Sequence, residues 1–292
     1  MLVATGRREF GGSVLETALV LERRFRGHAL LRDRLVFDST FMPAQDASGF
    51  VHVWASIRGE VAIAGHPPVE GPQAYVVAES EFDRVTSDAL TFRSWGAPSV
   101  VLELRVPAVD VRRPIGLVHG PLVLGEPVWA AYRAVDAALV AGESIEVPLH
   151  DVLVRLAEAG VVSTDLVASM VTQEPERFVR IWEVVRRMYA AYATSASLAE
   201  ISQEASLSLR QLGRDLGDLA RIFGLSTDGF RDAARVIRLR AATLLLSAPD
   251  ATVSEVAEAV GYGSPVAMGR AFRDANLPPP SVIQAATRYP PR

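Results

Sequence analysis

The sequence predicts an α+β protein with a β-rich N-terminal domain, a helical connector and an all-α C-terminal domain. Short extended runs broken by glycine and proline occupy the chain from about Leu35 to Pro107, which is typical of strands. After Pro127 apolar residues recur at helical spacing, and the C-terminal third contains an internal repeat. The predicted domains are residues 1–125, 126–194 and 195–292.

The clearest strand pattern is an alternation of side chains near the middle of the first domain. Its apolar members are Val51, Val53, Ala55 and Ile57, and the residues between them are His52, Trp54, Ser56 and Arg58. This pattern predicts a half-buried strand, followed by a turn at Gly59-Glu60. Further runs follow, and several short strands at such spacing favour a sandwich or a small barrel.

Three helices are predicted in the connector. The first two carry apolar stripes that begin at Trp129 and Val152, and Gly160 ends the second helix. The third runs from Pro175 to about Ala193 and has one apolar face, made of Phe178, Ile181, Val184, Val185 and Met188. Such a stripe packs either on its own chain or on a second copy in a homodimer, and the sequence leaves both open.

The C-terminal repeat begins with two capping boxes, Ser197 to Glu200 and Thr252 to Glu255. In a capping box the cap hydroxyl accepts a hydrogen bond from the third helical amide, and the glutamate accepts one from the cap amide. After each short helix the chain must turn, at Ser206 or Gly261. The second helices then match at Ser208 and Ser264, Leu212 and Met268, Gly213 and Gly269, Arg214 and Arg270, and Leu216 and Phe272.

Two copies of a helix-turn-helix unit explain this pattern. Between them, Gly229 to Ser247 predicts one long helix. At about 1.5 Å per residue it would span roughly 30 Å. The second helices of the two units would then reach major-groove segments about one DNA turn apart.

These residues resemble the AraC/XylS family of transcription regulators. The resemblance rests on Ser208 to Arg214, on Arg238 through Leu246, on Val253 to Tyr262, and on Arg270 through Ser281. It implies a regulator of transcription that binds double-stranded DNA. The upstream strands resemble the cupin-like effector domain of such regulators, with Gly59-Glu60-Val61 and Pro67-Pro68 in an early hairpin. A small organic effector would shift the orientation of the DNA-binding part by binding one arrangement more tightly.

The chain departs from the family pattern in three places. The segment from Leu216 to Arg238 is longer than is usual in the family, so the exit of the first unit or the start of the linker helix is expected to be remodelled. Met268 and Leu216 stand where the family prefers phenylalanine. The residues after Phe272 lack a Phe-Gly pair.

The second helix of the first unit is predicted to read bases. Arg210, Gln211 and Arg214 lie off its apolar positions, and Ser208 precedes them. Arginine binds guanine through two hydrogen bonds and glutamine binds adenine in the same way, each worth about 1–3 kcal/mol of discrimination. The alternative is that these residues are the solvated side of an amphipathic helix.

The second unit offers fewer donors to bases. Ser264 and Val266 provide one hydroxyl and an apolar contact to a thymine methyl. Arg270 and Arg273 are expected to hold phosphates. In the alternative interpretation Arg270 bonds to the neighbouring turn and has a structural role.

Charge limits how DNA can be bound. The net charge is −4, and the part from Thr194 onward holds 11 arginines against 10 acidic residues. Counterion release would therefore contribute little to DNA affinity. We expect a homodimer, or RNA polymerase as a partner, to support binding.

Composition excludes several chemistries. All 30 basic residues are arginine and cysteine is absent, which excludes a phosphate-binding lysine loop, a Schiff base, thiol catalysis and disulfides. The five histidines, at 28, 52, 66, 119 and 150, are not spaced for a cupin metal site. No signal peptide and no run of about 20 apolar residues is present. We expect a soluble cytoplasmic protein with no cofactor, no metal, no membrane contact and no enzyme activity.

An effector pocket is predicted on the strand that carries His52, Trp54 and Arg58, with Tyr75, Phe92 and Trp95 nearby. Ordinary packing is the alternative for each of these residues. Two other functions are compatible with the sequence. One is a regulator that acts through protein contacts with weak or lost DNA specificity, and the other is a cupin-type enzyme, which the histidine spacing opposes.

Overall fold

The computed structural model describes residues 1–43, 49–63, 67–78, 92–169, 173–190, 197–225 and 229–290. Within these ranges an antiparallel sheet is followed by helices, which confirms the predicted α+β class. The strands are β1 (Leu2–Phe10), β2 (Ser13–Leu21), β3 (Arg26–Asp33), β4 (Leu35–Asp38), β5 (Phe50–Ile63), β6 (Val69–Glu70), β7 (Gln73–Ala78) and β8 (Phe92–Pro107). The helices are α1 (Glu126–Ala141), α2 (Glu146–Glu158), α3 (Thr164–Ala168), α4 (Glu176–Ala190), α5 (Leu198–Glu204), α6 (Leu209–Ile222), α7 (Phe230–Leu245), α8 (Val253–Ala259), α9 (Pro265–Asp274) and α10 (Pro280–Thr287).

The sheet is built around two long strands, β5 and β8, which pair with each other. Its order is β1-β2-β3-β8-β5-β6, with β4 also paired to β8 and β7 to β5. Pro67 and Pro68 lie in the hairpin between β5 and β6, as predicted. Strands β1 to β3 lie before Leu35, where no strand is predicted. β2 is apolar on both faces from Ala18 to Leu21, so it lacks the alternation that identifies a half-buried strand.

Gly59 lies in a bulge of β5. The strand continues through this position, and its register with β8 shifts between Ser56 and Arg58 and again just beyond. The predicted turn at Gly59-Glu60 is therefore wrong, because the extra residue bends the strand without reversing it. Gly59 has a φ of +101°, and a Cβ there would lie 2.6 Å from the carbonyl oxygen of Trp95. Only glycine fits this position.

One face of the sheet is apolar and is covered by α1 and α2. Val53 and Leu102 represent its alternate positions on β5 and β8, and neither has measurable exposure. They belong to one core cluster with Tyr132 and Val135 of α1 and Leu149 of α2. The predicted connector helices α1 and α2 therefore pack directly on the sheet.

The opposite face of the sheet is covered by the C-terminal helices. Near β1 and β2, Leu2 and Leu19 share a core cluster with Trp182 of α4 and with residues of α6. Near β4, Leu35 joins a cluster formed with α7 to α10. Because both faces are covered, residues 51–57 are buried throughout. The predicted half-buried strand is wrong for that reason.

The apolar stripe on α4 packs within the chain. Phe178, Ile181 and Trp182 are buried against β1, β2 and α6. The Trp182 indole nitrogen donates a hydrogen bond to the Val3 carbonyl at 2.7 Å. Of the two alternatives that the sequence leaves open for this face, the structure supports packing on its own chain.

Candidate nucleic-acid interface

Two helix-turn-helix units form the C-terminal part, α5–α6 and α8–α9. In the first unit the Glu200 amide lies 3.2 Å from the Ser197 hydroxyl, and the Glu200 carboxylate accepts from the Ser197 amide at 2.6 Å. The corresponding distances between Thr252 and Glu255 are 3.2 Å and 2.9 Å. Both predicted capping boxes are confirmed.

The turn has the same geometry in both units. Ser206 and Gly261 have φ values of +54° and +80°. The next amide, from Leu207 or Tyr262, donates to a carbonyl five residues earlier. The predicted match between Ser206 and Gly261 is confirmed. A positive φ is less favourable in free energy for serine than for glycine, because serine carries a Cβ.

α6 presents the predicted base-reading residues at its N-terminal end. The Ser208 hydroxyl caps the helix by accepting from the Gln211 amide at 3.2 Å. Arg210 and Arg214 are exposed, whereas Gln211 is half-buried. The Gln211 side chain donates to the Asp215 carboxylate at 2.9 Å and accepts from Arg214. Asp215, which is buried and which the sequence does not single out, thus orients Gln211.

α6 is longer than the predicted helix. It continues beyond Leu216 to Ile222, and the added turns bury Leu219 and Phe223 in the cluster shared with α4. This extension lies where the chain departs from the family pattern. Residues 226–228, between α6 and α7, lie outside the described residues.

α9 presents a different surface from α6. The Ser264 hydroxyl caps the helix by accepting from the Ala267 amide at 3.1 Å, and Val266 is 66% exposed. Arg270 and Arg273 are exposed. Within the described ranges neither arginine has an ion pair or a side-chain hydrogen bond, so the alternative in which Arg270 bonds the neighbouring turn is not supported.

α7 joins the two units and also contacts the sheet. Its 16 residues correspond to about 24 Å, and it agrees with the predicted linker helix. Leu239 and Leu245 are buried in the cluster that contains Leu15 and Leu35 of the sheet. α7 is therefore in contact with both the second helix-turn-helix unit and the sheet.

Hydrogen bonds join the sheet to the second unit. The Asp250 amide, between α7 and α8, donates to the Gly11 carbonyl in the β1–β2 turn at 3.0 Å. The Val36 amide of β4 donates to the Ser247 hydroxyl at 2.9 Å. The orientation of the second unit is thus tied to the sheet.

The residues predicted for an effector pocket are divided between the two faces of the sheet. Trp54 and Tyr75 are buried beside Phe92, and the ring centroids of Trp54 and Phe92 are 4.3 Å apart. Arg58 lies on the other face and pairs with Asp136 of α1 at 2.7 Å. The prediction that Arg58 shares a face with His52 and Trp54 is wrong, because the bulge inverts the alternation.

The remaining predicted effector residues also lie apart. Trp95 is half-buried on β8, opposite Glu60 of β5. Tyr75 lines an apolar cavity of about 470 Å³ together with Val61, Val69 and Leu117. His52 lies elsewhere, in a charged cluster between the sheet and α7.

We define the charged cluster as Arg26, His28, Arg32, His52, Glu103, Arg105 and Arg240. Glu103 lies at its centre, with its carboxylate 3.0 Å from Arg26 and 3.0 Å from His52 Nδ1. Burial alone would raise the pKa of Glu103, but the charges of His52, Arg26 and His28 hold that pKa well below its usual range. The carboxylate is ionised, and residues of the sheet balance its negative charge.

The cluster connects the sheet to the helices around it. Burial lowers the pKa of His28 to about 4; Glu103 acts against this shift, whereas Arg26, Arg240 and Arg32 add to it. Arg105 donates to the Gly224 carbonyl, just beyond the end of α6. The cluster thus reaches α7 through Arg240 and the end of α6 through Arg105.

Of these seven residues the sequence patterns indicate only His52. The sequence of β3 contains a pattern that indicates the charged face, because Arg26, His28 and Arg32 alternate with Gly27 and Leu31. Charged residues on one strand face are usually interpreted as solvent-exposed. α7 covers this face, and the covering helix lies more than 200 positions away, which no local pattern reveals.

The described residues contain neither a membrane-spanning helix nor a group suited to hold a metal. No helix in these ranges combines the length and apolar character needed to cross a lipid bilayer. No group of three or more histidine, aspartate or glutamate side chains in the same ranges is arranged to hold a metal ion.

Comparisons with known proteins give structural likenesses at low identity. No protein-family model and no curated protein matches the chain. Similar solved structures include ToxT from Vibrio cholerae with a bound unsaturated fatty acid (TM-score 0.34, 10% identity, 92% of this chain and 98% of that one). Another is the AraC-like transcriptional activator CuxR (TM-score 0.31, 12% identity, 78% and 79%). A third is EutQ from Clostridium difficile (TM-score 0.22, 12% identity, 33% and 64%). Likenesses at this level do not bear on the function of this chain.

Proposed function

We propose that the protein is a transcription regulator that binds double-stranded DNA, with α6 reading bases. The observation that carries this proposal is the exposed pair Arg210 and Arg214 at the N-terminal end of α6, in an intact helix-turn-helix unit. Helix-turn-helix proteins place this end of the second helix in the major groove. A guanidinium is the commonest specific donor to guanine there.

The second unit would hold the DNA backbone in this proposal. Arg270 and Arg273 have no partner among the described residues and are available for phosphates, which fix register without reading sequence. Val266 offers an apolar contact. Ser208 and Ser264 already cap their helices, so their contribution would be to orient the first turn of each helix towards the groove.

The partners of the regulator follow from its charge. Because the DNA-binding part is nearly neutral, phosphate contacts alone give low affinity. We propose that a second copy of the chain or RNA polymerase supplies the remaining stability. A small organic effector is proposed as the regulating ligand. The residues predicted from the sequence for its site do not line one pocket, since Arg58 faces α1, His52 lies in the charged cluster and Tyr75 lines the apolar cavity; they are His52, Trp54, Arg58, Tyr75 and Trp95.

Fluorescence anisotropy tests base reading by α6. The full chain is titrated into a labelled duplex enriched from a random pool by binding, and into the DNA upstream of its own coding sequence. Excess random competitor is present at two salt concentrations. Arg210→Ala and Arg214→Ala are compared with Arg221→Ala, a control on α6 whose arginine is exposed and pairs with Asp218 at 2.8 Å.

We expect Arg210→Ala and Arg214→Ala each to lose about 5- to 150-fold in affinity for the selected duplex, since a good base contact is worth about 1–3 kcal/mol. Arg221→Ala should bind as the unaltered chain does. Equal binding by all four proteins, or a pool that does not enrich, contradicts base reading. Either result favours the second candidate, a regulator acting through protein contacts, which the near-neutral charge of the DNA-binding part also fits.

A further inference from the structure

Three side chains of α6 are joined by hydrogen bonds that run from the core to the exposed face of the helix. Asp215 is only 3% exposed, and both of its carboxylate oxygens lie 2.9 Å from Gln211 Nε2. Gln211 Oε1 accepts from Arg214 Nη2, and Arg214 is exposed. We call Asp215, Gln211 and Arg214 the α6 network.

The two charged groups fix the direction in which the Gln211 amide points. A carboxylate accepts hydrogen bonds, so it selects the NH2 end of the amide. A guanidinium only donates, so it requires the amide oxygen. Reversing the amide would set its oxygen against the Asp215 carboxylate and its NH2 group against the Arg214 guanidinium. The α6 network therefore has one favourable arrangement.

This arrangement engages the atoms of Gln211 that would read adenine. A glutamine reads adenine by donating from its NH2 group to N7 and by accepting from the N6 amino group through its oxygen. In the α6 network both ends of the amide already have a partner on the same helix. Arg214 gives one of its five N–H groups to Gln211 and keeps the others for DNA.

The second unit lacks this network at the matched positions. Arg270 of α9 corresponds to Arg214, but the residues matched to Gln211 and Asp215 are both alanine. Arg270 has no partner among the described residues. A carboxylate on a helix that approaches DNA repels phosphates, so a gain in overall affinity does not account for Asp215. The two matched arginines thus differ in that one is held by its helix and the other is free.

We propose that Asp215 is a positioning residue that acts through Gln211 to hold Arg214 for a guanine, so that Gln211 itself does not read adenine. Guanine presents O6 and N7 side by side, and a guanidinium binds both only in a defined orientation. A side chain that is already oriented loses less freedom on binding. The free Arg270 suits phosphates, which carry no sequence information. This inference rests on the proposed function, since it concerns base reading by the same helix.

The test measures base preference one position at a time. Fluorescence anisotropy compares binding of the full chain to the duplex enriched from a random pool and to duplexes that each change one base pair of its site. The variants are Arg214→Ala, Gln211→Ala, their double variant, Asp215→Ala and Asp215→Asn. Asp218→Ala is the matched control, because Asp218 lies on α6 and pairs with Arg221 at 2.8 Å. Asp215→Ala and Asp218→Ala each remove one negative charge, so a uniform change in affinity is common to both.

We expect Arg214→Ala to lose its preference for one guanine by about 5- to 150-fold. Gln211→Ala and Asp215→Ala should reduce the preference at that same base pair by about threefold or more, the size of a coupling between residues in contact. The double variant should match Arg214→Ala. Asp215→Asn should keep most of the preference, because its amide oxygen still accepts from Gln211. Asp218→Ala should keep all of it.

The inference is overturned if Gln211→Ala removes preference for a separate adenine and its effect adds to that of Arg214→Ala. It is equally overturned if folded Gln211→Ala and Asp215→Ala chains keep the guanine preference, or lose affinity by one factor for every duplex. The second result would make the α6 network a support of the helix alone.

The melting temperature without DNA identifies a variant that does not fold. If Asp215→Ala does not fold, Gln211→Ala still decides the question, because Gln211 is only half-buried. Failure of the proposed function gives a different result, in which the unaltered chain itself shows no base preference and both proposals fall.

Discussion

The two helix-turn-helix units share a backbone and differ in the surface they present. Both have a capping box, a left-handed residue at the turn and a serine cap on the second helix. At matched positions, however, the first unit has Arg210 where the second has Val266. The local sequence rules thus build one scaffold twice, and base reading and backbone contact can be divided between the copies.

The units also differ in the elements on which they pack and in the burial of their second helices. The first shares a core with α4 and with β1 and β2, whereas the second shares a core with α7, β2 and β4. At matched positions Phe272 has no measurable exposure, while Leu216 is half-buried. At this matched position the second helix of the first unit is therefore less deeply buried than that of the second unit.

Core truncation at these matched positions should give the largest difference. Phe272→Ala removes a fully buried ring and is expected to cost about 3–5 kcal/mol of unfolding free energy. Leu216→Ala should cost at most half as much, because its side chain is partly solvated already. Urea denaturation of both variants measures this. Equal losses would show that the two units are packed alike.

Removing the free arginines of α9 should lower DNA affinity without changing sequence preference. Arg270→Ala and Arg273→Ala are each expected to reduce the slope of log affinity against log salt by about one, because each variant leaves one phosphate unneutralised. Binding to selected and random duplexes should fall by the same factor. A decrease confined to the selected duplex would instead make α9 a base-reading helix.

Removing either capping box should cost the same in both units. Ser197→Ala and Thr252→Ala each delete the hydroxyl that accepts from the third helical amide and leave the cap amide that donates to the glutamate, at about 1 kcal/mol each. Thermal or urea unfolding of the two single variants and of the double variant measures the costs. We expect the two losses of unfolding free energy to add in the double variant, since the boxes share no partner. Clearly unequal losses in the two single variants would mean that the two units are not stabilised in the same way.

The turn residues should give the smallest effects, of opposite sign. Gly261→Ala places a Cβ at positive φ and should cost about 1 kcal/mol, whereas Ser206→Gly relieves that strain and should gain about 0.5 kcal/mol or less. Differential scanning calorimetry resolves shifts of this size in melting temperature. Stabilisation by Gly261→Ala would show that the two turns are not equivalent.

The elements that could be predicted from the sequence are those set by neighbouring residues. A capping box needs only Ser197 and Glu200, and an amphipathic stripe needs only its own helix, so the helices and both units follow from local patterns. The effect of Gly59 could not be predicted, because a glycine between two apolar runs fits a turn as well as a bulge.

The candidate sites divide in the same way. Arg210 and Arg214 follow from their spacing along one helix, and the structure exposes both. The charged cluster depends on which distant helix covers β3, and nothing near His28 in sequence specifies Arg240. The face on which Arg58 lies could not be predicted for a related reason, since one inserted residue in β5 reverses every later position.

The hydrogen bond between Val36 and Ser247 joins residues 211 positions apart. During synthesis β1 to β4 leave the ribosome first, and α7, which covers Leu15 and Leu35 together with the helices after it, is complete only after the chain has grown by about that length. Until then Leu15 and Leu35 remain open to solvent on a sheet face that also carries Arg26 and Arg32. Charges on an uncovered sheet oppose its pairing with other chains. The same arginines that belong to the charged cluster in the finished protein therefore reduce aggregation of the nascent one.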